Sequence, residues 1–323
     1  MAGKYVIGID IGGTAVKMAL FDQNGGMDHK WSIKTSKEEN GKYVLDEIAA
    51  SIQHELQEKH IPLTEVAGAG AGLPGFIDIE KGIIEFATNI GWKDYPVARI
   101  LEDKLGFPVA LDNDANLAAA GEYWKGAGTD VRNMIFITLG TGVGAGIVLN
   151  GNLVNGKDNM AGEVGHVTVK PEGGRLCNCG KRGCLETISS ATGMVRGALE
   201  HIDEAEGSPI YDVHQRGEEI TTKDLFAYAT SADPYCAGVI DHAMYYLGLA
   251  VGNIANTLNP ERIVIGGGVA AAGDDLLHTL RAHFDVFALD KVKKGTNFVI
   301  ADLGNDAGVA GAAWLAKQHY MND

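Results

Sequence analysis

Three of the chain's four cysteines fall within eight residues, as Cys177-x-Cys179-x4-Cys184 in the run LCNCGKRGCLET. Three thiolates on a glycine-rich loop can reach one soft cation, and a closed tetrahedral zinc site asks for one ligand more. Upstream, Glu163-x-x-His166 carries the nearest histidine, the next being His60 and His201. A zinc site of His166, Cys177, Cys179 and Cys184 is therefore expected, against the plainer reading of a structural histidine beside reduced surface thiols. Four protein ligands leave no open position, so that metal would be structural. Cys236 lies in a helical pattern and reads as a core residue.

A second chemistry is carried by glycine turns between apolar runs. In Asp10-x-Gly12-Gly13-Thr14 and in Gly140-Thr141-Gly142, backbone N–H groups at a tight turn can face anionic oxygens, with a threonine hydroxyl as a further donor. A plain hairpin turn competes at either position taken singly. A triple glycine, Gly266-Gly267-Gly268, follows a third apolar run. Neither the Walker A pattern nor a G-x-G-x-x-G leading into a helix occurs, which speaks against a dinucleotide site. A third candidate is Asp114 in Asp112-Asn113-Asp114-Ala115-Asn116, at the end of a buried strand and the start of a helix. A carboxylate there can take a proton from a hydroxyl, or simply cap the helix.

The elements that hold these residues follow from periodicity. The opening YVIGIDIGGTAVKMALFDQNGG reads as strand, turn, strand, closed by Asn24-Gly25. An amphipathic helix is expected over 40–60 and a strand over 66–75. A short strand at 83–86, a helix over 95–105 and a strand over 109–111 follow, then an alanine-rich helix to about Lys125. The pattern restarts at MIFITLGTGVGAGIVL (134–149), an internal repeat spaced by about 130 residues that suggests two related halves. Helices are expected near 185–201, 222–230, 234–258 and 308–319, with strands over 262–265 and 300–303.

Composition excludes several classes. The net charge of −15, without a basic stripe, argues against nucleic acid as a partner. No apolar stretch is long enough to span a bilayer, and no signal-peptide pattern opens the chain. Four cysteines, three of them clustered, fit a reduced cytoplasmic compartment better than a disulfide framework. Bulk charge repels phosphates, so any nucleotide site must draw its positive potential from backbone N–H groups and a cation.

Together these segments resemble the ROK family of sugar kinases, of the two-domain α/β actin/hexokinase/Hsp70-like (ribonuclease H-like) fold with a cleft between the domains. DIGGT at 10–14 and LGTGVG at 139–144 resemble its phosphate loops, and GLPG at 72–75 with NDAN at 113–116 its sugar-binding segments. EVGH at 163–166 with CNCGKRGCLE at 177–186 resembles its zinc signature. The resemblance implies an ATP-dependent hexose kinase, glucose being the first expectation. A kinase for fructose, mannose or N-acetylmannosamine, or a non-catalytic sugar-responsive regulator, are the alternatives. The family's regulators carry a helix-turn-helix before the first loop, for which the nine residues ahead of Asp10 leave no room.

By that resemblance Asp114 is the general base, and Gly75, Asn89, Asn113, Glu163, His166 and Glu186 contact the sugar. Asp10 would hold Mg2+ indirectly, while Gly12, Gly13, Thr14, Lys17, Thr141, Gly142, Gly266 and Gly267 would take the nucleotide. Cofactors would be ATP, Mg2+ and structural Zn2+, and the assembly a homodimer. A smaller domain over 1–118 is expected to regain the C-terminal helix at about 306–323, with a larger zinc-bearing domain over 119–305.

Overall fold

The computed structural model describes residues 3–36, 38–87 and 91–321. Two compact units emerge. One comprises Met1–Thr129, Leu153–Ala161 and Leu303–Asp323, the other Asp130–Asn152 and Gly162–Asp302.

Among the described residues the first unit has the strands β1 (Tyr5–Ile11), β2 (Ala15–Asp22), β3 (Met27–Lys34), β4 (Val66–Leu73), β5 (Phe76–Asp78), β6 (Ile83–Ala87), β7 (Trp92–Tyr95) and β8 (Val109–Asn113). Five of them form a sheet in the order β3-β2-β1-β4-β8, and β5-β6-β7 form a small antiparallel sheet. Along β1 the side chains alternate between faces. Ile7, Ile9 and Ile11 pack with the helices Val44–Glu58 and Val97–Leu105, while Val6 packs with the C-terminal helix Ala307–Tyr320. Strand β3 was not anticipated. It is a mostly exposed edge strand in which Trp31 and Ile33 reach the core, too few apolar residues to announce it.

β1, β4 and β8 run parallel, with Asp10 opposite Gly72 and Gly72 opposite Asp112. The C-terminal ends of all three strands therefore lie along one edge of the sheet, where ligands collect in open α/β folds. The helix Asp114–Lys125 leaves that edge and crosses Ala307–Tyr320 at close range. A Cβ on Gly311 would lie 1.7 Å from the Leu117 carbonyl oxygen, so glycine is required at the crossing. Burial of alanines 310, 312, 313 and 316 fits the same tight approach.

The second unit repeats the plan. Its strands are β9 (Met134–Leu139), β10 (Val143–Leu149), β11 (Asn152–Leu153), β12 (Arg262–Gly266) and β13 (Asn297–Ile300), in the order β11-β10-β9-β12-β13. Hairpin partner, hairpin strand and two parallel additions thus recur, as the restart in the sequence suggests. A core of Ile135, Ile137, Leu139, Ile263 and Ile265 packs with Leu247 and Val251 of the helix Pro234–Leu258 and with Leu276, Leu280 and Phe284 of Asp274–Phe287.

Two expectations need correction. The helix expected near 185–201 is two helices, Glu186–Ser189 and Ala191–Glu200, broken at Ser190. Ser190 is extended and its hydroxyl caps the second helix by accepting the Gly193 N–H at 2.9 Å. The last strand ends at Ile300 instead of starting there. Among the described residues no helix is long and apolar enough to cross a membrane.

Candidate active site

In the first unit the β1–β2 turn is locked from one side. The Gly12 N–H donates to Ala15 O at 3.1 Å, Thr35 Oγ1 donates to Gly12 O at 2.6 Å, and the Thr35 N–H donates to Thr14 O at 3.0 Å. Among the described residues no hydrogen bond engages the N–H groups of Gly13 and Thr14. Asp10 lies one residue before the end of β1, beside this turn. Burial pushes its carboxyl above the ordinary carboxylate range, with the Lys17 ammonium 3.7 Å away pulling the other way. Lys17 also donates to Asn305 O at 2.6 Å.

The run from Asp112 to Asn116 divides its labour. Asn113 is the helix cap: its Oδ1 accepts the Ala115 N–H at 2.8 Å, and its Nδ2 donates to Gly75 O at 3.3 Å. Gly75 sits at φ 118°, and a Cβ there would meet Phe86 O at 2.3 Å. Asp112 is buried and accepts from the Asn113 N–H (2.7 Å), Asn116 Nδ2 (2.9 Å) and Asn155 Nδ2 (2.7 Å). Asp114 is exposed at the first helical position. Gly75, Asn113 and Asp114 are thus brought together. Asp112, Asn116 and Asn155 support them, and sequence reasoning passed over this support: the Asp112–Asn155 pair spans 43 residues with no local signal. Asn89 lies outside the described residues.

In the second unit the β9–β10 turn is held by its own backbone and by the segment after the cysteines. The Gly140 N–H donates to Gly142 O at 3.0 Å, and the Ala191 N–H donates to Gly140 O at 2.8 Å. Glu186 Oε2 accepts the Val143 N–H at 3.1 Å. The N–H groups of Thr141 and Gly142 are engaged by no hydrogen bond among the described residues, which parallels Gly13 and Thr14. Gly267, at φ 81°, lies against the end of β9, where a Cβ would meet Leu139 O at 2.4 Å. Gly266 pairs with Thr138 in the sheet. Thr141, Gly142, Gly266 and Gly267 therefore share one edge.

His166, Cys177, Cys179 and Cys184 converge, with one ligand atom from each lying within 4.8 Å of all the others. His166 Nδ1 is 3.6 Å from Cys177 Sγ, and Cys179 Sγ is 3.6 Å from Cys184 Sγ. Tetrahedral zinc with bonds of about 2.0–2.3 Å has ligand-to-ligand edges of roughly 3.5–3.8 Å, so the donor set fits that ion in type and in spacing. Without a cation the thiols cannot all ionise together. Burial raises Cys177 and pushes Cys184 up to about 12, while the Lys181 N–H lowers Cys179. Glu163 Oε2 stands 3.9 Å from His166 Nε2, the nitrogen turned away from the thiols.

The chain is 49% identical to a glucokinase of Halalkalibacterium halodurans over 318 residues, covering 98% of this chain and 96% of that one. A ROK hexokinase structure from Thermus thermophilus matches with a TM-score of 0.81 at 30% identity, over 99% of this chain and all of that one. A ROK family glucokinase from Streptomyces griseus, solved with glucose and AMPPNP, matches with a TM-score of 0.78 at 31% identity, over 97% and 99% of the two chains. With the ROK family profile matching residues 6–319, the chain belongs to the ROK family.

Proposed function

We propose that this chain is an ATP-dependent glucokinase that transfers the γ-phosphoryl group to the 6-hydroxyl of glucose. The observation that carries it is the nearly end-to-end 49% identity to a glucokinase. Asp114 is the general base. It is exposed on the first turn of its helix, where its Oδ1 accepts at 2.9 Å the same Ala115 N–H that Asn113 caps. It takes the hydroxyl proton as the sugar oxygen bonds to the γ-phosphorus and the bond to ADP breaks. Phosphoryl transfer asks the protein mainly for positioning and charge stabilisation. The unengaged N–H groups of Gly13, Thr14, Thr141 and Gly142 suit phosphate oxygens, and Gly266 and Gly267, packed against β9 at the same edge as Thr141 and Gly142, would line the nucleotide.

Mg2+ bound with ATP would neutralise phosphate charge. The single half-buried carboxylate of Asp10 suits an ion that keeps most of its waters. Gly75, Asn113, Glu163, His166 and Glu186 supply donors and acceptors for the sugar hydroxyls, with Asn89 as a further contact. His166, Cys177, Cys179 and Cys184 would hold Zn2+, closing its shell and ordering the loop that bears Glu186. We take the working assembly to be a homodimer in the cytoplasm.

A coupled ADP-release assay across glucose, fructose, mannose and N-acetylmannosamine tests the reading. The highest kcat/KM is expected with glucose. Turnover of none of these sugars would remove the kinase assignment, and preference for another hexose would move the substrate.

A further inference from the structure

Strand β1 turns one face to the C-terminal helix Ala307–Tyr320, and Val6, Gly8 and Asp10 follow one another along it. Val6 packs in one cluster with Val309 and Ala313 of that helix. At Gly8 the two backbones meet: a Cβ there would lie 2.1 Å from Val309 O. Two residues further on, the strand carries the side chain and the helix carries the glycine. A Cβ on Gly308 would lie 2.9 Å from both Cγ and Oδ2 of Asp10, and 3.3 Å from Oδ1. The helix cannot back away from Asp10 without losing its seat on Gly8.

The segment that leads into this helix also holds the cation beside Asp10. Asn305 O accepts from Lys17 Nζ at 2.6 Å, and that ammonium stands 3.7 Å from Asp10 Oδ2. Asp306 pairs with Lys30 at 2.6 Å, which ties the segment to the edge strand β3. The Asp10 carboxylate is thus confined by the first turn of the helix and by the Lys17 ammonium, with only 20% of its side chain exposed. A first helical turn also favours a negative charge beside it.

We infer that Gly308 is a positioning residue for Asp10: by having no side chain, it sets where the carboxylate can meet a hydrated Mg2+. This rests on reading Asp10 as the residue that would hold Mg2+ through water. Mg2+ demands near-ideal octahedral geometry, so an acceptor for its waters must point correctly. A methyl group at position 308 would fall inside the 3.4 Å at which ordinary contact begins. With the backbones fixed at Gly8, the carboxyl group is the part that moves.

Calorimetric titration of ADP into wild type, Gly308→Ala, Asp10→Ala and the double variant tests this, each with Mg2+ and with EDTA, beside titration of glucose. Wild type is expected to gain ADP affinity from Mg2+. Gly308→Ala should lose about tenfold of that gain, the order expected when a placed group shifts by well under an ångström. Its ADP affinity in EDTA and its glucose Kd should stay at wild-type values. In the Asp10→Ala background Gly308→Ala should reduce the Mg2+ gain no further, because the group it displaces is gone. Equal losses in both backgrounds, or a Gly308→Ala protein with the full gain, overturn the inference. A loss of the same size in EDTA overturns it too, since that marks general damage to the nucleotide site. Should Gly308→Ala fail to fold, the double variant lacks the clash and should fold, and one that stays unfolded counts equally against the inference. A wild type that shows the Mg2+ gain but phosphorylates no hexose sinks the kinase reading alone. A wild type that phosphorylates glucose without the gain sinks the inference alone.

Discussion

Asn113 caps the helix that Asp114 begins, accepting the Ala115 N–H on its side-chain oxygen at 2.8 Å. Asp114 Oδ1 also accepts that N–H, at 2.9 Å, so Asn113 keeps the cap when Asp114 is replaced. Replacing Asp114 by alanine should leave the helix intact and glucose binding near normal while kcat falls by about 10²–10⁴-fold, the usual worth of a general base. Steady-state assay with calorimetric glucose titration measures both quantities, and near-normal turnover would acquit Asp114.

Asp112 is the buried acid behind that pair. Asp112→Ala strands the amides of Asn116 and Asn155, each a donor that loses its acceptor, and should cost about 1–3 kcal/mol of stability. Its titration has a definite sign. Burial holds the folded carboxyl above the ordinary 3.8, so the folded state binds the proton more tightly than the unfolded chain. Its contribution to stability is then fully present below 3.8 and is lost as pH rises through the raised folded value. The stability of wild type relative to Asp112→Asn should fall as pH rises from about 4 and then level off. Urea denaturation at stepped pH checks this, and a difference that rises with pH would contradict it.

How far the sequence reveals the molecule depends on how local each signal is. The two glycine turns, the restart at Met134 and the four-ligand cluster are local patterns, and the structure shows both turns, a repeated strand order and converging ligand atoms. The break at Ser190 is hidden by apolar spacing that runs across it, since an extended serine costs the pattern one residue. Edge strand β3 carries too little buried surface to read. The contacts of Asp112 with Asn155 and of Glu186 with Val143 each span 43 residues, and no periodicity reports on them. The sequence marks the candidate reacting groups; the residues that hold them in place are set by tertiary packing.

Removing one thiol tests the metal reading. Cys179→Ser should drop zinc from about one ion per chain toward none and lower the melting temperature with it, because structural zinc contributes folding energy directly. Cys236 provides the control: buried in the helix Pro234–Leu258, its thiol is pushed up to about 12 by burial, and Cys236→Ala should keep its zinc. Metal analysis beside calorimetric melting checks both variants. A folded, active, zinc-free Cys179→Ser would make the metal dispensable.

The crossing of Gly311 over Leu117 joins stability to the proposed base. With Cβ placed 1.7 Å from the Leu117 carbonyl oxygen, Gly311→Ala cannot be absorbed by a side-chain rotation, because the obstacle is backbone. The two helices must separate, and a Cβ on Gly121 would likewise meet Ala307 O at 2.0 Å, so the whole crossing depends on small residues. Overpacking of this kind costs about 1–3 kcal/mol. The displaced helix is the one that Asp114 opens, so kcat should fall together with stability even though Gly311 takes no part in the chemistry. Gly238, whose Cβ would meet nothing within 4 Å, makes the comparison: Gly238→Ala sits in a helix interior and should be neutral or stabilising. Urea denaturation and steady-state kinetics on the two variants decide it. A Gly311→Ala protein as stable and as active as wild type would show that the crossing yields without disturbing the edge of the sheet.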